Sequence, residues 1–202
     1  MSYSDFDLKT VKQNLSVHLT EQENLFASIE SVALSSVLKE ILAENIPLAG
    51  AINTEKARSE LIISPLLVEL RKILKHKISL FSGIEFTVDK EKGLNGFCDF
   101  IISASHEQLL LVSPVITIVE AKNENIIAGL GQCIAEMVAA KIFNESENNT
   151  KINTIYGVVT TGTVWKFLKM QNLNVMIDLD DYFIENPDKI MAILLTMMMQ
   201  NS

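Results

Sequence analysis

Residues 125–143, "NIIAGLGQCIAEMVAAKIF", constrain the fold more than any other stretch of the chain. They are rich in alanine and apolar on most sides, so a helix built from them has almost no face to give to water. Such a helix is stable only when other elements cover it. Its flanks, "VITIVEAK" before it and "TIYGVVTTG" after it, are short runs of β-branched and aromatic residues. Runs of that length and type read as strands. The segment is therefore expected to be a helix buried against a sheet.

The rest of the chain follows by period. The entry to about residue 26 is irregular, with "NLSVHLTE" as a short strand, and leads to an amphipathic helix over "ASIESVALSSVLKEILAEN" that Pro47 ends. Thr54 is placed to cap a second helix, "EKARSELIISPLLVELRKILKHK", kinked at Pro65, whose nitrogen cannot donate to the ladder. From about residue 78 the period becomes that of strands: "KISLFSGIEFTVD", a turn "KEKGLNG", "FCDFIIS", a loop with a short "QLLLV", then "VITIVEAK". After the buried helix and the polar linker "NESENNTK" come "TIYGVVTTG", "VWKFLKM" and "NVMIDL", and a helix closes the chain after Pro187. This order predicts an α/β fold, a mixed central sheet flanked by helices with an N-terminal helical extension. A chain of 202 residues suits a single domain. Residues 1–53 are expected as an extension packed on a core of 54–178, with 179–202 as a C-terminal helix.

Composition narrows the function. A formal net charge of −8 disfavours a protein that holds nucleic acid by a broad cationic face, so any such contact must be local. The densest basic stretch, "ELRKILKHK", gathers Arg71, Lys72, Lys75 and Lys77 where they complement a helix C-terminus; it is also the first place to seek phosphate contacts. Cys98 and Cys133 are too few for a disulfide framework, and His18, His76 and His106 stand at no metal-binding spacing. The glycines of "GLGQ" lack the strand-to-helix context of a phosphate loop. The first residues carry acids and no apolar signal core, and the run "IMAILLTMMM" is far short of the roughly 20 residues that span a bilayer. A cytoplasmic chain without a membrane partner is expected. The tail "MMMQ" reads as a packed helix or a homodimer contact.

One strand carries charge where none belongs. In "VITIVEAK", Glu120 and Lys122 lie two apart and so share a face, while Asp99 interrupts the apolar strand "FCDFIIS". Consecutive strands usually neighbour one another, which brings Asp99 towards Glu120. Ionisable groups in such places cost several kcal/mol each unless paired or bound to an ion. On the E-x-K alone, a buried ion pair between Glu120 and Lys122 is the simpler account.

The wider pattern is more specific. A hydrophobic strand with Asp99, about twenty residues, a hydrophobic run ending in Glu120 and Lys122, then a helix with Gln132 resembles the PD-(D/E)xK nuclease superfamily, closest to the nuclease domains of type I restriction enzymes and resolvases. The resemblance covers roughly residues 54 to 178 and implies a restriction-endonuclease-like fold. Cys98 stands where the eponymous proline would, Glu136 stands where some members carry a tyrosine four residues after the glutamine, and the first 45 residues have no counterpart. The preceding helix often supplies a further acid in that superfamily, which points to Glu60; the alternative for Glu60 is an exposed pair with Lys56 at i−4.

The resemblance also implies chemistry. Asp99, Glu120 and the carbonyl of Ala121 would hold Mg²⁺ or Mn²⁺, Lys122 would position the attacking water and offset charge in the transition state, and Gln132 would reach the site from its helix. The expected activity is metal-dependent hydrolysis of phosphodiester bonds in DNA, rather than RNA, with a homodimer suited to double-strand cutting and a protein partner to supply specificity. Two other readings stand beside it: the same fold as a catalytically silent binding module, and an interaction protein whose charged residues are only an ion-paired core.

Overall fold

A computed structural model of the chain describes residues 1–149 and 152–200. Part of the linker "NESENNTK", Thr150 and Lys151, and the last two residues of the C-terminal region lie outside them. The described residues form a mixed α/β structure around an eight-stranded sheet. A 3₁₀ turn at Tyr3–Asp5 precedes α1 (Leu8–Asn14), β1 (His18–Thr20) and α2 (Ser36–Ile52). Then come α3 (Glu55–Arg58), a π-helical turn at Ser59–Ile63, α4 (Ser64–Ile73) and strands β2 (Ser79–Glu85), β3 (Phe97–Ser103) and β4 (Val115–Ala121). The chain ends with α5 (Ile126–Ser146), β5 (Thr154–Thr160), β6 (Val164–Gln171), β7 (Asn174–Ile177), β8 (Tyr182–Phe183) and α6 (Pro187–Met199).

The strand order is β1-β7-β6-β5-β4-β3-β2, with β8 paired to β6. β4 and β5 run parallel, as the intervening α5 requires of a crossover, and β1 joins β7 in parallel at the far edge; the other pairs are antiparallel. The region before residue 53 is thus more than a helical extension, since β1 is a strand of the central sheet. Two cores result. Leu42, Leu66, Ile193 and their neighbours from α2, α4 and α6 cover one face with Val119 and Phe167, while Ile134, Val138 and the N-terminal Phe6 and Val11 cover the other with Ile118 and Val159. α5 is long and apolar enough to span a bilayer, yet it is mostly buried between the sheet and the N-terminal segment.

Two glycines make that burial geometric. A Cβ on Gly129 would come 2.7 Å from Val159 Cγ1 and 2.9 Å from Lys122 Cγ; one on Gly131 would come 2.4 Å from the Cα of Asp7 and 2.5 Å from the carbonyl oxygen of Phe6. The first glycine admits the sheet and the second admits the backbone of the N-terminal segment. Backbone cannot swing aside as a flexible side chain can. Gly131→Val is therefore expected to destabilise the protein by about 1–3 kcal/mol in urea denaturation. It should also release residues 1–14, read as new tryptic cleavage after Lys9 and Lys12.

Several elements depart from the sequence reading. The first long helix does not start near residue 27 and does not stop at Pro47. It starts after Ser35, whose side chain accepts from the Leu38 N–H, and runs to Asn53 in a left-handed conformation. Pro47 and the preceding-turn Ala43 are both exposed, so the carbonyl that proline leaves unpaired faces water, and the helix continues. At Pro65 the chain widens rather than kinks: in the π turn just before it, the Ser64 N–H donates to the Ser59 carbonyl five residues back. Thr54 caps α3 as expected, its hydroxyl accepting from the Ala57 N–H. "QLLLV" forms no strand, and Leu109 is fully exposed. Instead the Gln108 side chain donates to the Leu80 carbonyl at 2.7 Å and accepts from the Leu80 N–H at 3.2 Å, standing in for a strand beside β2. α1 and β8 have no counterpart in the sequence reading. In α6, Met197 and Met198 are buried in the core, so the tail is a packed helix.

Candidate functional site

β3 and β4 pair antiparallel from Ser103↔Val115 to Phe100↔Val119. Beyond that the ladder ends, and the Asp99 carboxylate takes its place by accepting from the Ala121 N–H at 2.8 Å. The next amide, that of Lys122, donates to the Thr160 carbonyl on the other side at 2.8 Å. The two central strands thus part where the charged residues begin, which is how a sheet opens a site at a strand end.

Glu120 and Lys122 share the face of Ile118, towards α5. Glu120 is 1% exposed. Its Oε1 accepts from Lys122 Nζ at 2.5 Å, while its Oε2 is buried with no hydrogen-bond partner. Lys122 Nζ also donates to Gln132 Oε1 at 3.1 Å, and Gln132 Nε2 donates to Glu136 Oε1 at 3.1 Å. A line of contacts therefore runs from β4 into α5. The small residues around Gln132 let it form, because Gly129 leaves room for the Lys122 stem.

The electrostatics follow from burial. Loss of water, and then the charge of Asp99, push Glu120 up to about 8 against the pull of Lys122. Burial and the charge of Glu120 hold Glu136 well above the usual carboxylate range. Burial works against the Lys122 ammonium, but Glu120 outweighs it by charge and hydrogen bond, and the net shift is upward.

Asp99 is joined to the Ala121 amide, Glu120 and Gln132 are joined through Lys122, and the two sets are linked by the charge of Asp99 acting on Glu120. Asp99 and Ala121 also line an open groove of about 270 Å³ whose walls include Ser82, Glu55 and Glu60. Glu60 itself is exposed and pairs with Lys56 at 3.0 Å, the i,i+4 arrangement weighed for it above. The acid from the preceding helix whose charge, besides that of Asp99, reaches Glu120 and Lys122 is Glu55, the first residue of α3. Sequence reasoning passed over it because an acid in the first turn of a helix is ordinarily explained by the helix dipole. Glu136, noted only as a departure, is fully buried and joins the line through Gln132.

The remaining candidates have ordinary roles. Cys98 and Cys133 are buried thiols held protonated by burial. His76 Nδ1 shares a hydrogen bond with Arg71 at 2.6 Å, and Arg71 Nε donates to the Ile78 carbonyl, so part of the basic patch closes the end of α4. Among the described residues no group of three or more His, Cys, Asp or Glu side chains is gathered as a ready metal cage. The oxygen donors at the strand opening are two carboxylates, one of them with a free buried oxygen. No protein-family model matches the chain, and no curated protein matches it as a relative.

Proposed function

We propose that this protein is a metal-dependent nuclease that hydrolyses phosphodiester bonds of DNA, using a site of the PD-(D/E)xK kind on a restriction-endonuclease-like sheet. One observation carries the reading. Glu120 is buried beside Asp99 with an unpartnered oxygen, an arrangement that disfavours the anion so strongly that its proton is held to about pH 8. A structural ion pair needs only Glu120 and Lys122; the second carboxylate makes that pair worse. A divalent cation makes it better, because two hard oxygen donors and a backbone carbonyl suit Mg²⁺ or Mn²⁺, which keeps its remaining positions for water and phosphate. The residues present fit such an ion, with Asp99, Glu120 and the carbonyl of Ala121 as its holders.

When bound, the ion supplies polarisation of the scissile phosphate and a lowered pKa for the attacking water. The chain's own residues supply the rest. Lys122, fixed between Glu120 and Gln132, offers a cation to the negative charge that grows on the phosphate oxygens. Its ammonium is not free to drift into water, since two acceptors hold it. Glu55, Lys56 and Glu60 line the groove by which DNA would reach Asp99; Lys56 pairs with Glu60, and the charge left on Glu55 and Asp99 favours a cation there before a phosphate approaches. That acidic lining, with a net charge of −8, favours one second reading, a silent binding module whose partner is not a polyanion.

A first test precedes any assay of cleavage. Millimolar Mn²⁺ is expected to raise the melting temperature of the wild-type protein, and Asp99→Asn is expected to lose that shift. Cleavage of plasmid DNA with Mn²⁺, and none in chelator, then separates a nuclease from the binding module. An unmoved melting temperature in wild type would favour the ion-paired core.

A further inference from the structure

The partner of Gln132 is the least expected residue near the site. Glu136 lies on α5 with no exposure, among apolar neighbours, and its Oε2 has no hydrogen-bond partner. As core filling it is a poor choice, because a leucine or methionine of similar size would bury without the desolvation penalty. Its one hydrogen bond explains it. A lysine ammonium can only donate, so Gln132 must turn its amide oxygen to Lys122. The amide nitrogen then faces the other way and needs an acceptor inside the protein. Glu136 Oε1, one helical turn on, provides it at 3.1 Å.

We infer that Glu136 is a positioning residue for Lys122: by accepting from Gln132 Nε2 it fixes the amide so that the Gln132 oxygen, and with it the Lys122 ammonium, stays at the strand opening. The assignment of Lys122 to a nuclease site rests on the reading above, but the positioning does not need it. Burial holds the Glu136 carboxyl well above the usual carboxylate range and so disfavours a second charge beside Glu120, while Oε1 accepts from Gln132 in either state. Glutamine at 136 would offer an amide oxygen in the same place, whereas leucine would fill the volume and offer nothing. The distinction gives a test that a packing role cannot imitate.

The test measures the reactivity of the Lys122 amine in the metal-free, full chain by reductive methylation with formaldehyde at fixed pH, read by peptide mass spectrometry. Relative to wild type, E136L and Q132L are expected to speed labelling of Lys122 by about tenfold, the effect of losing one hydrogen bond to a charged group. E136Q is expected to restore the slow rate seen in wild type. Labelling of E136L at the wild-type rate, or of E136Q as fast as E136L, would overturn the inference. If E136L fails to fold by circular dichroism, E136M, which also fills the volume without an oxygen acceptor, takes its place in the same comparison with E136Q. Because labelling uses neither metal nor DNA, a protein that never cleaves DNA but shows this pattern separates failure of the nuclease reading from failure of the positioning. Where cleavage is observed, E136L should lower kcat by about tenfold with KM unchanged, and E136Q should recover it.

Discussion

Lys122→Ala is expected to lower Mn²⁺-dependent cleavage of DNA by about 10²- to 10³-fold, the usual cost of removing one preorganised electrostatic group from a transition state. The loss should appear in kcat, because in the proposed reaction Lys122 would act on charge that develops only as the phosphate is attacked. Fold and metal binding should persist. The Lys122 side chain is 23% exposed and its stem lies over Gly129, so truncation opens no sealed cavity. Breaking a buried ion pair ordinarily strands the surviving charge, but Glu120 escapes that penalty by taking a proton, which it already holds to about pH 8. Circular dichroism of the variant should therefore match wild type at pH 6, and Mn²⁺ should still raise its melting temperature at pH 7.5, with only the cleavage lost. Equal cleavage by both proteins would identify the activity as a contaminant's.

The second large effect is on stability, and its sign is unusual. In the metal-free protein the carboxyl of Glu120 moves from 4.5 in the unfolded chain up to about 8, so between those values the folded state binds a proton that the unfolded state has released. Stability then falls as pH rises, by up to about 1.4 kcal/mol per pH unit for each such group. Glu136 shifts in the same direction and adds to the slope. The raised Lys122 contributes nothing to it, since that stability is lost only above the ordinary lysine range. Urea denaturation in chelator should show the protein less stable at pH 7.5 than at pH 5.5 by at least the roughly 2–3 kcal/mol that Glu120 alone contributes. Mn²⁺ should restore most of the difference at pH 7.5 and change little at pH 5.5, because binding requires the deprotonated carboxyl. Glu120→Gln should remove its share and leave a shallower profile. A rise in stability over that interval would instead mean that Glu120 is ionised throughout and satisfied by Lys122 alone.

What could be read in the sequence was what local pattern encodes. β3 and β4 were legible nearly to the residue, because "FCDFIIS" and "VITIVEAK" are apolar runs bounded by turns. The meeting of Asp99 with the Glu120 strand followed from their adjacency. The place of α5 was legible from its alanine-rich apolar run, although the helix continues to Ser146, three residues into the stretch read as a linker. What escaped depends on contacts distant in sequence. α1 is a seven-residue helix held by its Asp7 cap and by a seat on Gly131, neither of which its own pattern reveals. Pro47 misled because its position on the outer side of α2, not its identity, decides whether a helix survives it. Glu55 was hidden by a role that most first-turn acids fill, and only the folding of α3 over the strand opening sets it apart from Glu60.

The imitation of a peptide by Gln108 has a further consequence. β2 is the last strand on its side of the sheet, and a bare rim of that kind invites another chain to extend the ladder, the first step towards fibrils. By occupying both main-chain groups of Leu80, one amide side chain blocks the point where such growth would begin, and the left-handed Gly83 bends the rest of the rim away from regular pairing. Solubility at high concentration should therefore depend on a loop glutamine that lies outside the candidate site.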